Sequence, residues 1–229
     1  MRIPASVYSK PKDISTQTAL LRRFFPGLNL RPGKLRVKGV VMPEGAEGLF
    51  LIPNWRSFAQ MHYFSTYADV VKIVLAKLRE VHDGNFCFEN YREENMLCET
   101  EQKAGAMAQI ADQQRFRELL IVPAQFTAVQ YGHSIKKARA AVGDNSFGLG
   151  AFEVGIMLLT HPERIACNDD LPISCIGDEL KLGGESFGAD YPLVPTFRFN
   201  FGKLKFNAGD CHYTNLEGCH SCASAFLPK

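Results

Sequence analysis

Apolar residues recur along the chain at two different spacings, which predict both helices and strands. Intervals of three and four between Phe58 and Leu78 are typical of one face of a single long α-helix. Uninterrupted apolar runs at 49–52 and 119–122, each ending at a proline, are typical of short buried strands. Alternation on both sides of Gly202-Lys203 predicts a β-hairpin over 196–206.

Weaker patterns predict the remaining elements. A first helix begins at Ser15 or Thr16, either of which can cap it, and ends near Phe25 before Pro26-Gly27. The polar stretch 89–118 has a thin helical stripe, and further helices are expected near 131–142 and 149–159. Basic and apolar residues alternate over 34–42, which indicates a strand with one buried face.

The order of these elements favours an α+β fold. We expect a modest mixed sheet packed by three or four helices, with a β-rich C-terminal third. Residues 1–33 form a basic N-terminal arm and short helix, and residues 34–229 form one domain, with a subdivision near 165 left open. A strand–proline–helix pattern occurs at 47–60 and again at 117–130, which keeps an α/β arrangement as the alternative.

Composition excludes several classes of protein. The 229 residues are 46% hydrophobic, 22% charged and 11% aromatic, which is ordinary for a globular protein and unlike a disordered, collagen-like or membrane-bundle chain. No apolar run reaches the roughly 20 residues of a transmembrane helix, and no apolar signal segment opens the chain. We therefore expect a cytoplasmic protein.

Positive charge is concentrated at the N-terminus. Residues 1–39 carry nine basic side chains and one acidic side chain, whereas the other 190 residues have a net charge of −6. Such a segment predicts contact with nucleic acid, an anionic membrane surface or an acidic face of a second subunit, unless it is only a solvated arm. Tyr8, Phe24 and Phe25 are available for stacking on bases. The residues expected to bind are Arg22, Arg23, Arg31, Lys34, Arg36 and Lys38.

The C-terminal tail is rich in metal-ligating residue types. Two cysteines separated by two residues, on a turn with nearby glycines, have the spacing of half a zinc knuckle. No second pair of this kind completes the motif, so simple reduced thiols are the alternative. The predicted zinc ligands are Cys211, His212, Cys219, His220 and Cys222.

Three other candidates for catalysis are present. Carboxylates from Asp169 to Glu179 flank a predicted strand at 173–176 and have the chemistry to bind Mg²⁺ or Ca²⁺, although acids in turns more often satisfy local backbone groups. Glu153 stands alone in an apolar helix, where burial would raise its pKa. A cysteine–histidine pair would draw on these residues: Cys167, Cys175, His133 and His161.

Two functions follow from these patterns. The first is a non-enzymatic binding or assembly module that contacts nucleic acid or a partner subunit, including a second copy of itself, through the basic arm, with a zinc-pinned tail. The alternative is a small hydrolase or metal-dependent enzyme that uses Cys/His chemistry or the Asp169–Glu179 carboxylates.

Overall fold

The computed structural model describes residues 10–28, 42–83, 85–89, 97–115, 118–126, 135–180, 194–207 and 221–227. The α-helices in these ranges are α1 (Ile14–Phe24), α2 (Trp55–His62), α3 (Tyr67–Val81), α4 (Glu101–Gln114), α5 (Ile135–Ala141) and α6 (Ala151–Thr160). The strands are β1 (Gly48–Pro53), β2 (Phe86–Glu89), β3 (Leu97–Glu99), β4 (Leu119–Gln125), β5 (Ser146–Gly148), β6 (Ile173–Ser174), β7 (Asp178–Leu180), β8 (Thr196–Asn200), β9 (Lys203–Asn207), β10 (Ser221–Cys222) and β11 (Ser224–Phe226).

These strands form three modest sheets. An antiparallel sheet has the order β1-β4-β11-β5, and a mixed sheet has the order β10-β6-β8-β9-β2 with parallel pairs at both edges. Strands β3 and β7 form a separate antiparallel pair. The α+β prediction is confirmed. The two strands of the internal repeat, β1 and β4, pair antiparallel with each other, unlike the parallel strands of an α/β fold.

Strand β4 continues past the proline at which the sequence predicts its end. It runs through Pro123 to Gln125, with Pro123 opposite Leu49 of β1. The carbonyl of Ala124 accepts from Glu47 on the β1 side, so the nitrogen of Pro123 faces the other side of the strand. Pairing with β11 begins only at Ala124, and a missing N–H therefore costs no ladder hydrogen bond at this position.

Two predicted helices are interrupted in the structure. The stripe between Phe58 and Leu78 is buried as predicted at both ends, but Tyr63 adopts a left-handed conformation and separates α2 from α3. The side chain of Thr66 then caps α3. Likewise, β3 and the N-cap residue Thr100 precede α4, so helix covers only part of the stretch 89–118.

Helix α6 occupies the centre of the hydrophobic core. All ten of its residues are buried, and it packs on α3, β1 and α1. Gly155 allows the close approach to α3, because a Cβ at this position would lie 2.5 Å from Cγ1 of Val74. Within the described ranges, no helix combines the length and the apolar content needed to cross a membrane.

Residues 10–28 are fixed to this core. Leu21, Phe25 and Leu28 are buried, and each contributes about 1.5–3 kcal/mol if its burial is complete. The buried amide of Gln17 accepts from the backbone N–H of Leu51 and donates to the carbonyl of Leu49, as an additional strand would.

The connection at the end of α6 depends on a neutral histidine. The backbone N–H of Lys12 donates to Nε2 of buried His161 over 2.9 Å, while the Lys12 ammonium pairs with Glu163. Burial, together with the nearby charge of Lys12, lowers the pKa of His161 to about 4. Nε2 therefore remains unprotonated and able to accept at neutral pH.

Acid should weaken this connection. The unfolded chain binds a proton at His161 near pH 6.5 and the folded chain only near 4, so stability is lost as the pH falls between these values. We expect His161 to cost about 1–2 kcal/mol of unfolding free energy on going from pH 7 to pH 5. Urea unfolding of the wild type and of His161→Gln, which keeps an acceptor but has no such proton, measures the difference. An identical pH dependence in the two proteins would contradict the prediction.

Candidate functional site

The predicted basic residues lie partly within the described structure. Arg22 and Arg23 are exposed in the last turn of α1, where the helix dipole stabilises positive charge. The same helix is held to the core through Leu21, so its two arginines have a defined place on the surface. The other four residues lie outside the described residues: Arg31, Lys34, Arg36 and Lys38.

Of the predicted zinc ligands, only Cys222 lies within the described residues. Its side chain is buried in β10 beside Ile135, Ile176 and Val194, and burial raises the pKa of its thiol to about 12. Among the described residues no three His, Cys, Asp or Glu side chains come close enough to hold a metal. The zinc site stays a prediction, since its other ligands lie outside that part of the chain: Cys211, His212, Cys219 and His220.

The carboxylates from Asp169 to Glu179 take separate places. Asp169 is exposed, whereas Asp170 is buried and accepts from the backbone N–H groups of Ala166 and Cys167, as an acid in a turn does. Glu179 lies beside the thiol of Cys98 in the neighbouring strand. Asp170 therefore serves local structure, and Asp178 is the carboxylate of this set that lies in a fully buried group of charges.

A buried charged cluster surrounds Lys103, a residue that the sequence analysis does not single out. The cluster consists of Tyr67 on α3, Lys103 on α4, Glu153 on α6 and Asp178 on β7. Both carboxylates and the ammonium group have 0% solvent exposure. The Lys103 ammonium donates to Oε2 of Glu153 (2.9 Å), Oδ1 of Asp178 (2.9 Å) and the hydroxyl of Tyr67 (2.8 Å).

The N-terminus of α6 supplies further donors to the same cluster. The N-cap residue and the first two residues of α6 have backbone N–H groups with no partner inside the helix. Because this end of the helix is buried, these groups need acceptors from elsewhere in the protein. They donate to Glu153 from Gly150 (3.0 Å), to Asp178 from Ala151 (2.6 Å) and to the Tyr67 hydroxyl from Phe152 (3.2 Å). A side chain at Gly150 would overlap Asp178 and Lys103, which explains the glycine.

The protonation states follow from burial and neighbouring charge. Burial raises the pKa of Asp178 to about 6. The positive charge of Lys103 lowers this pKa, and the negative charge of Glu153 offsets part of that lowering. Burial disfavours the ammonium form of Lys103, but Asp178, Glu153 and Glu99 more than compensate, so its pKa rises. Burial and the two buried carboxylates raise the pKa of Tyr67, which keeps its proton and donates to Asp178.

Glu99 connects this cluster to the protein surface. One of its oxygens lies 3.9 Å from the Lys103 ammonium and accepts from Nε1 of Trp55, and the other pairs with exposed Arg56. Arg56 also stacks over the Trp55 ring. A cleft of about 320 Å³ is lined by Trp55, Arg56 and residues of α4 from Ala104 to Asp112.

The cysteine and histidine candidates are not arranged as a nucleophile and its base. Burial raises the pKa of Cys175, which favours the unreactive thiol, and His161 uses Nε2 to accept from Lys12. Cys167 is exposed on a turn, and His133 lies outside the described residues.

One sequence signal could have identified Lys103. It lies four residues before Met107 and eight before Ala111, so it belongs to the buried stripe of α4. A lysine at such a position must be paired if it stays charged. Its partners are far away in the sequence and cannot be read from periodicity.

Comparison of the chain with protein-family models, curated proteins and solved structures finds no match. Functional inference therefore rests on the residues of this chain.

Removing the central charge should be far more costly than removing a surface charge. Lys103→Met leaves two buried carboxylates without their cation, for which we expect a loss of about 3–5 kcal/mol of unfolding free energy. Lys77→Met is the matched control, because Lys77 pairs with Glu80 on the surface of α3, where such pairs contribute about 0–1 kcal/mol.

The pH dependence of Lys103→Met gives an independent check. Without the ammonium group, the folded-state pKa of Asp178 should rise further above its unfolded value, so the stability that the variant has lost relative to the wild type should be partly recovered as the pH falls from 7 to 5. Chemical denaturation at both pH values measures this recovery. Similar losses for the two variants, with no recovery in acid, would show that the cluster contributes little.

Proposed function

We propose that this protein is a non-enzymatic binding module that contacts nucleic acid through its basic N-terminal segment. One observation carries the proposal: Arg22 and Arg23 are exposed on a helix that is fixed into the core. Four further basic residues follow between positions 31 and 38.

Anchoring makes these arginines suitable for binding. Because α1 is held by Gln17 and Leu21, its arginines meet a partner without the entropic cost of ordering a free arm. Guanidinium groups match the geometry of phosphate oxygens and stay charged at every physiological pH.

The charge distribution favours a polyanionic partner. Residues 1–39 have a net charge of +8 while the remainder has −6, so a nucleic acid would be attracted most strongly to the N-terminal region. That asymmetry orients the encounter as well as strengthening it. A partner subunit with an acidic face would satisfy the same charge and is the other outcome of the test.

Two of the carboxylates considered for catalysis are enclosed. Glu153 and Asp178 accept hydrogen bonds from the Lys103 ammonium and from the backbone at the N-terminus of α6. Neither side chain has any solvent exposure. A role in stabilising the fold accounts for their contacts, which supports the binding proposal over a hydrolase.

Reversing the charge of the anchored arginines should weaken binding and its salt dependence together. For Arg22→Glu/Arg23→Glu, we expect the slope of log K against log salt to fall by about 0.7–0.9 for each phosphate that the variant no longer neutralises. Lys136→Glu/Lys137→Glu is the control, because it makes the same charge change on exposed positions of α5. Fluorescence anisotropy with labelled DNA and RNA oligonucleotides measures both slopes.

Equal effects of the two double variants would show that only net charge matters. If no oligonucleotide binds at low salt and the arginine variant instead changes the oligomeric state in sedimentation analysis, the partner is a subunit and the nucleic-acid proposal is wrong.

The zinc-pinned tail remains part of the proposal. Zinc would require Cys222 to bind as a thiolate, against the burial that now favours its thiol, so the ion would have to supply that stabilisation. We expect about one zinc per chain by elemental mass spectrometry, with Cys211 and Cys219 protected from thiol reagents until a chelator is added. Protection of Cys222 is uninformative because it is buried in β10. Absence of metal, with Cys211 and Cys219 reactive, would remove the zinc proposal.

A further inference from the structure

The hairpin formed by β8 and β9 has an unusual tip. Asn200 pairs with Lys203, so the loop contains only Phe201 and Gly202. Their φ angles are +51° and +74°, and two positive φ angles define a type I′ turn. This turn matches the twist of the strands, but it favours asparagine or glycine at the position that phenylalanine occupies here.

Folding alone does not explain Phe201. A bulky side chain in the left-handed region costs free energy, and this ring is 82% exposed. The hairpin is held to the core through other residues, among them Phe197, Leu204 and Phe206. A large apolar ring is therefore held in solvent by a rigid support, at a position where a small polar residue would be more stable.

Positive charge surrounds the ring. The hairpin sequence 196–207 contains three basic residues and no acidic residue. Lys203 is exposed directly after the turn, and the ammonium group of Lys205 lies 5.3 Å from the centre of the Phe201 ring.

We propose that Phe201 is a stacking platform for an unpaired base of a single-stranded nucleic acid, with the exposed Lys203 contacting a neighbouring phosphate. This inference deepens the proposed function and rests on it for the class of partner. An aromatic ring with adjacent cations complements a flat base and its phosphate, and an unpaired strand can offer a base that a duplex keeps stacked. A lipid surface would accept the ring but would have to take the exposed ammonium of Lys203 towards its apolar interior.

A tryptophan at the tip would report stacking directly. The chain has one tryptophan, Trp55, whose signal is measured in the wild type and subtracted. The probe is an oligothymidylate of about 20 nucleotides, longer than the roughly 4–16 nucleotides that one small domain covers. We expect the fluorescence of Phe201→Trp to be quenched as the oligothymidylate binds.

Affinity measurements on Phe201→Asn separate binding from folding. Asn-Gly is the preferred pair for this turn, so the variant should unfold at the same or a higher urea concentration than the wild type. Its affinity for the oligothymidylate should fall between about 5-fold and 150-fold, the range expected when one base no longer stacks. Tyr63→Ala is the matched control, because Tyr63 is also aromatic, 97% exposed and at positive φ, and its affinity should not change.

The outcomes distinguish this inference from the proposed function. If Arg22→Glu/Arg23→Glu weakens binding while Phe201→Trp is not quenched and Phe201→Asn binds normally, the stacking inference is wrong and the proposed function stands. If quenching occurs and the arginine variant binds normally, Phe201 is the contact and the basic helix is not. No binding by any variant overturns both. A blue shift of Phe201→Trp with phosphatidylglycerol vesicles, without quenching by oligothymidylate, would assign the tip to a lipid surface.

Discussion

The enclosed ammonium group of Lys103 is the interaction on which the rest of the structure depends. It joins α4 to α3, α6 and β7 through oxygens of Tyr67, Glu153 and Asp178. An unpaired charge at this depth would cost several kcal/mol, a large part of a domain's net stability, so these elements come together as a set. The same side chains accept hydrogen bonds from the backbone N–H groups at the buried N-terminus of α6.

The surfaces inferred to bind derive their positions from this interior. Helix α6 begins at the cluster and ends at His161, which holds the segment leading into α1. The arginines at the end of α1 are thus linked to the buried charges by one continuous, fully buried helix. The β8–β9 hairpin is supported in a similar way, because Phe197 packs in the same core that contains α6. Both surfaces therefore present charge from rigid supports.

Much of the fold could be predicted from local pattern. The apolar runs of β1 and β4, the hairpin around Gly202 and the apolar helix α6 all lie close to their predicted places. Periodicity and turn chemistry act over a few residues, and a sequence displays them directly. The apolar pattern does not show the break at Tyr63. The stripe from Phe58 to Leu78 continues across it, because α2 and α3 each turn an apolar face towards the core.

The sequence by itself determined the fold class, the positions of the two apolar strands and of the C-terminal hairpin, and the concentration of basic residues at the N-terminus. Only the tertiary structure decided which charges are enclosed and which face solvent. Lys103 meets partners 36, 50 and 75 residues away, and Asp178 differs from Asp169 in its surroundings rather than in its sequence context. The physical reason is range: helix and strand periodicity depends on neighbours along the chain, whereas the cost of burying a charge depends on which distant oxygens the fold brings to it.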